Sequence, residues 1–286
     1  MAFSENDIVK MRKAGEMTGK ALNYAESLIE PGISTKYLDK KIYQYIINMG
    51  GQPNFLDYDG YPASICASVN EVVVHGIPSE DIILKEGDII SVDLGVMYKG
   101  FNGDAARTFA VGKISPEKQR LIDVTKQCFY EGLKQVKVGA HVGDIGQAVQ
   151  TYAEENGYSV VRELVGHGIG RDMHMDPQVP NYGTKGHGPV LEANMAIAIE
   201  PMINMGKKNI YLKSDGWTVY TKDGLPSAHY ENTVLITPTT VEILTNELWK
   251  RWHSNFYCWS WLRTNIFGVE FARWRCLSCK WEAEKN

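Results

Sequence analysis

Two ten-residue segments of this chain run through an apolar, β-prone stretch and end on a carboxylate: Leu84 to Asp93 and Leu191 to Glu200. A carboxylate on a buried strand is costly unless it is paired or bound to a cation, so the two acids point to a site, and first to a metal site. Asp104 follows Asp93 after Leu-Gly-Val-Met-Tyr-Lys-Gly-Phe-Asn-Gly. That stretch reads as a β-hairpin whose glycine-containing tip returns the second acid beside the first. An arbitrary Asp pair is usually a surface hairpin, an Asx-turn or, here, a partner for Arg107. The apolar run before Asp93 and its counterpart at Glu200 weigh against those readings. Gly166-His167-Gly168-Ile169-Gly170 is a glycine-rich loop carrying one imidazole, with His174 seven residues beyond, and Glu231 stands in Tyr230-Glu231-Asn232-Thr233. Asp93, Asp104, His167, Glu200 and Glu231 together supply four carboxylates and one imidazole. Two divalent ions about 3.5–4 Å apart call for such a mixture, because bridging carboxylates hold both ions and neutralise most of their charge. The absence of Cys from the set favours Mn(II), Fe(II), Co(II) or Zn(II) over a thiolate zinc site.

The elements that must position these groups come in two copies. At an offset of 107 residues Gly32, Leu38, Ile42, Tyr45 and Gly50 fall on Gly139, Ile145, Val149, Tyr152 and Gly157, as Asp93 falls on Glu200. Apolar spacing predicts helices over about 4–30, 34–49, 115–137 and 142–156, with Ser4 and Ser115 as caps and Pro116 in a first turn. Strands are expected from Ile65 to Val74, Ile89 to Val96, Arg107 to Val111, Ala196 to Ile203, Thr218 to Thr221 and Thr233 to Thr237. An α-α-β unit repeated about a pseudo-twofold axis, with helices outside a curved and largely antiparallel sheet, is α+β organisation. The pseudo-repeats span about 4–111 and 112–240 of a domain covering 1–247.

Bulk properties exclude several classes. At 286 residues, 44% hydrophobic and 22% charged, the chain can bury a full core. A net charge of −4 argues against a broad DNA-binding surface. No apolar run approaches the roughly 18–20 residues of a membrane span, and the N-terminus lacks the features of a signal peptide. Five cysteines, an odd number, fit a reducing cytoplasm.

The motifs Asn70-Glu71-Val72-Val73-Val74-His75-Gly76-Ile77-Pro78, Asp93…Asp104, Gly166-His167-Gly168-Ile169-Gly170-Arg171, Ile199-Glu200-Pro201 and Tyr230-Glu231-Asn232-Thr233 resemble those of the bacterial type I methionine aminopeptidases, metallopeptidases of the M24 family. The resemblance covers about residues 4–247. It implies the pita-bread (creatinase/aminopeptidase) fold, two divalent ions per chain and removal of an initiator Met that precedes a small second residue, by metal-activated attack of water on the first peptide bond. It further implies that Asp104 and Glu231 bridge the ions, that His167 and Glu200 complete one, and that Asp93 chelates the other. Glu200 would accept the proton of the attacking water, His174 would stabilise the oxyanion, and His75 would hydrogen-bond the peptide. Tyr58, Tyr61, Cys66 and Trp217 would wall the methionine pocket. N-terminal Met peptides and nascent chains are the expected partners, of a cytoplasmic monomer. The chain's own Met-Ala start makes it a substrate of that activity. Three positions depart from the family pattern: Met173 where a Phe is common, His229 where a Gln is common and Val74 where a Cys is frequent. His229 would add a titrating group near the metals. His141, His187, Glu154 and Glu155 read as solvated, and Cys128 as a packed thiol.

Residues 248–286 differ from the rest. Six of the seven tryptophans lie there, and Lys and Arg outnumber the acids seven to three. His253, Cys258, Cys276 and Cys279 make a weak zinc set. Trp interleaved with basic residues could instead touch the ribosome or a membrane surface. An extension without a catalytic role is the favoured reading. Two other functions compete with the aminopeptidase: an aminopeptidase P or prolidase activity, whose enzymes carry a large additional N-terminal domain, and a catalytically silent binding protein, which would be expected to have lost ligands.

Overall fold

The computed structural model describes residues 3–246. The readings on His253, Cys258, Cys276, Cys279 and the tail tryptophans lie outside the described residues. Four α-helices occur within them: α1 (Glu5–Leu28), α2 (Thr35–Asn48), α3 (Pro116–Leu133) and α4 (Val142–Glu155). The caps are those expected from the sequence, with the Ser4 hydroxyl accepting from Asp7 N and the Ser115 hydroxyl from Lys118 N. His141, read as solvated, is half-buried. It caps α4, its backbone N–H donating to Asp144 at 2.9 Å and its Nδ1 lying 2.7 Å from the Gly188 carbonyl. No helix among the described residues is long and apolar enough to cross a membrane.

The repeat extends to individual hydrogen bonds. α2 and α4 are each 14 residues long. Gly32 N donates to Leu84 O as Gly139 N donates to Leu191 O, and Thr35 N to Ile82 O as Val142 N to Pro189 O. The bridges Ser34↔Ile83 and His141↔Val190 stand at the same offset. Gly32 and Gly139 (φ 97° and 86°), like Gly50 and Gly157 (81° and 85°), hold the left-handed backbone that entry to and exit from these helices require.

Every strand pair among the described residues is antiparallel. The backbone of the first half is a hairpin of two ten-residue strands, Ile89–Tyr98 and Phe101–Ala110. Its turn residues Lys99 and Gly100 both have positive φ, which matches the twist of the strands they join. The strand expected from Ile89 to Val96 runs two residues further, to Tyr98, because the ladder with the second strand continues to the turn; Asp93 lies within it. Two strands expected to be continuous are broken. Ile65–Val74 divides at Asn70, which has φ 50° and whose side-chain carbonyl accepts from Ile89 N. Ala196–Ile203 divides at Glu200-Pro201, where proline has no N–H for the ladder.

Each half has its own apolar core. Ala21, Leu38, Ile42, Ile90, Val92 and Ala105 pack in the first, and Leu121, Phe129, Ile145, Val149, Ile197 and Val234 in the second. A third cluster, including Met11, Phe101, Ile169, Ala196 and Leu235, draws residues from both halves. α1 lies so close to the hairpin that a Cβ on Gly103 would meet Gly15 N at 2.8 Å. Gly103→Ala is therefore expected to cost about 1–3 kcal/mol of stability, read from urea unfolding. An unchanged midpoint would contradict this packing.

Candidate metal centre

Asp93 stands opposite Ala106 in the hairpin, and Asp104 opposite Gly95. The two acids are diagonal neighbours on one face of the sheet, within reach of each other. Asp104 is fixed to the second half by Thr233, whose hydroxyl accepts from Asp104 N and donates to Asp104 O, both at 2.9 Å. The segment that carries Glu231 is held against the same strand. Glu231 N donates to Ala106 O at 2.9 Å, and Thr108 Oγ1 accepts from His229 N and donates to His229 O. The Arg107 guanidinium donates to the Glu231 carbonyl and the Asn232 side chain, and lies over the Tyr230 ring at 4.2 Å. Arg107 thus binds the backbone behind the cluster and makes no ion pair with Asp104.

His167 sits between two glycines because the strand that carries it is squeezed by its neighbours. A Cβ at Gly166 would meet Ala198 O at 2.4 Å, and one at Gly168 would meet Asp176 O at 2.2 Å. His167 Nδ1 lies 2.9 Å from the Gly168 carbonyl. A carbonyl only accepts, so Nδ1 carries the proton and the Nε2 lone pair is free for a metal. That Nε2 lies 3.6 Å from Glu200 Oε1. Glu200 follows the Met195–Ile199 strand, its backbone carbonyl held by the Asn181 amide at 2.9 Å.

Ligand atoms of Asp104, His167 and Glu231 all lie within 4.8 Å of one another. Asp93 Oδ1, Asp104 Oδ1 and Glu231 Oε1 are buried without a hydrogen-bond partner. Burial raises the pKa of Asp104 to about 7. Burial first, then neighbouring acids, pushes Asp93, Glu200 and Glu231 well above the usual carboxylate range. Unpartnered acid oxygens, facing one another beside an imidazole lone pair, fit divalent cations and little else. His229 is against this cluster, its Nε2 3.8 Å from Glu200 Oε2 and 4.0 Å from Glu231 Oε2. Its ring is 1% exposed and burial drives its pKa down to about 3, so it stays neutral near pH 7 rather than titrating there as the sequence suggested.

Beside the acids lies a cavity of about 180 Å³. All eleven residues singled out from the sequence line it, the four acids and the His167 imidazole together with His75, His174, Tyr58, Tyr61, Cys66 and Trp217. Phe55, Asp59 and Met173 complete the lining. Phe55, Tyr61, Ala63, Cys66 and Met173 form one apolar cluster, with Trp217 edge-on to Tyr61 at 5.1 Å. Phe55 and Asp59 come from a loop without periodicity, so no spacing marked them. His75 follows the Val72–Val74 strand with φ 58°, a strained backbone for a non-glycine residue. Burial holds its pKa down to about 4.

The acid cluster makes the metal-free protein sensitive to pH. Asp104 has a folded pKa of about 7 against 3.8 as its ordinary value, so the unfolded chain releases this proton first as pH rises. Its contribution is fully present below about pH 4 and lost by about pH 7. The melting temperature of metal-free protein should fall over that window, fall less in Asp104→Asn, and recover at pH 7 when Mn(II) is added. A flat profile that Mn(II) leaves unchanged would contradict the cluster's electrostatics.

The pattern described for metallopeptidase family M24 matches residues 9–238. The methionine aminopeptidase of Clostridium perfringens strain 13 is 50% identical over 242 residues, which cover 85% of this chain and 97% of that protein. The crystal structure of methionine aminopeptidase from Thermotoga maritima superposes with a TM-score of 0.85 at 42% identity, over 86% of this chain and 99% of that one. Prolidase from Pyrococcus furiosus gives 0.69 at 22% identity, over 86% of this chain and 65% of that one, a likeness of fold alone. The fold is the pita-bread fold that the motifs implied. By its sequence, its fold and the match over most of its length, the chain belongs to metallopeptidase family M24.

Proposed function

We propose that this enzyme removes N-terminal methionine from peptides and nascent chains whose second residue is small, using two divalent ions. The observation that carries the reading is that one cavity joins an apolar wall to the acid cluster. A single unbranched side chain can enter the apolar end while the bond that follows it lies against the acids. The close likeness to proteins named methionine aminopeptidase supports the same substrate.

Asp93, Asp104, His167, Glu200 and Glu231 would hold the ions, with Asp104 and Glu231 shared between them. Bound there, divalent ions supply Lewis-acid polarisation and ease the deprotonation of water. Glu200, at the cavity with its Oε1 3.6 Å from His167 Nε2, would take that proton and return it to the leaving amine. His174, at the cavity and with its ring centroid 4.3 Å from that of His167, would donate to the developing oxyanion. His75 would hold the peptide, its ring 6.5 Å from Trp217. Tyr61 is pinned as a pocket wall by its hydroxyl, 3.1 Å from the carbonyls of Ile65 and Gly76. Action on nascent chains, in the cytoplasm, follows from the same reading.

Metal-stripped enzyme reloaded with Mn(II), Fe(II), Co(II) or Zn(II) should release free methionine from Met-Gly and Met-Ala peptides, and none from their N-acetylated forms. Cleavage of Xaa-Pro peptides instead would move the activity to that of the prolidases, and silence with every metal would leave a binding protein. Asp104→Asn and Glu231→Gln should each lower kcat/KM by at least about a hundredfold in a protein that still folds. Full activity in either would remove the bridging roles.

A further inference from the structure

We propose that Tyr58 is more than a wall of the methionine pocket: its hydroxyl donates to His174 Nδ1 and so keeps the His174 proton on Nε2, facing the scissile carbonyl. The inference rests on His174 acting as the oxyanion donor. Tyr58 Oη lies 2.8 Å from His174 Nδ1, and among the described residues it has no other hydrogen-bond partner. The rings meet edge to face, centroids 5.2 Å apart at 63°. On its other side His174 meets the His167 ring at 76°, and His167 is itself locked by the Gly168 carbonyl. The imidazole is therefore held between a metal ligand and a phenol.

A neutral imidazole has one N–H, and the partner of one ring nitrogen decides where the proton goes on the other. With the phenol donating to Nδ1, Nε2 carries the proton and can bond an oxyanion. With the opposite polarity, Nε2 would present a lone pair to that oxygen and repel it.

The segment that carries Tyr58 is shaped for this contact. Asp57 and Asp59 on either side have φ of 64° and 49°, and Gly60 has 86°. Left-handed backbone at the two non-glycine residues that flank Tyr58 is strained, and such strain gathers where a side chain must be aimed. The turn is closed by Asp57 N to Tyr61 O at 2.9 Å and Tyr58 N to Phe55 O at 3.0 Å. Because Tyr58 also lines the cavity, a methionine side chain against its ring would steady the phenol while His174 is needed.

The test compares wild type, Tyr58→Phe and His174→Ala as full-length, metal-loaded enzymes on a Met-Ala peptide. Phenylalanine keeps the ring and loses only the hydroxyl. A wall alone predicts no change, whereas positioning predicts kcat lower by about tenfold with KM within about twofold. In ¹⁵N-histidine-labelled Zn(II) enzyme, which is diamagnetic, His174 should show a protonated Nε2 and an unprotonated Nδ1 in wild type, and a mixture of tautomers in Tyr58→Phe. A wild-type His174 protonated on Nδ1 would overturn the proposal even if the variant failed to fold. A drop in His174→Ala with none in Tyr58→Phe would overturn the proposal alone. No drop in His174→Ala would overturn the oxyanion role of His174 and the proposal with it.

Discussion

Four carboxylates share one buried space, and the electrostatics of that arrangement govern the rest of the molecule. Asp93, Asp104, Glu200 and Glu231 come from four separate places in the sequence, and three of them keep an oxygen with no hydrogen-bond partner. Without counter-ions such a cluster holds protons to higher pH than carboxylates ordinarily do, burial and the neighbouring acids both raising proton affinity. A scaffold that brings these groups together must supply the energy from packing elsewhere, or take it from the cations they bind. Arg107 does not relieve the repulsion, because its guanidinium is directed to backbone and amide oxygens.

The scaffold does this by repeating one construction and then stitching the copies together. Each half brings a helix pair and a core of its own, with matching glycines and matching bonds at the helix entry. The stitching is local and polar: Thr108 with His229, Thr233 with Asp104, Asn102 with the Gly170 and Arg171 carbonyls. These bonds fix backbone rather than carboxylate oxygens. The acid oxygens are thereby left free for metal, while their positions are set by the sheet. The apolar wall arises beside them from the 55–66 segment and from Met173 and Trp217.

Much of this is legible in the sequence because it is periodic or repeated. The helices show themselves by spacing, the serine caps by residue type, Asp93 and Glu200 by the 107-residue offset, and Asp104 by the hairpin that returns it to Asp93. What sequence reading missed is set by tertiary contacts. The expected strand Ile65–Val74 is broken at Asn70, because its side-chain carbonyl is taken by Ile89 N of the neighbouring strand. His141, isolated in sequence, becomes a helix cap because the chain near Gly188 returns to it. His229 stands out as an unusual residue, but its neutral state depends on complete burial, which composition does not reveal. Phe55 and Asp59 join the site through a turn with left-handed backbone at Asp57, Asp59 and Gly60; the Asp59-Gly60 pair marks a turn in the sequence but not which side chains the turn presents to the cavity.

In the proposed dinuclear site, two cations would supply the partners that the buried acid oxygens lack. An anomalous difference map from crystals of the full chain equilibrated with Mn(II) tests this most directly. Two peaks about 3.5–4 Å apart, within bonding distance of Asp93, Asp104, His167, Glu200 and Glu231, are the predicted result. No ion at the cluster under saturating metal, or ions bound only elsewhere, would contradict it.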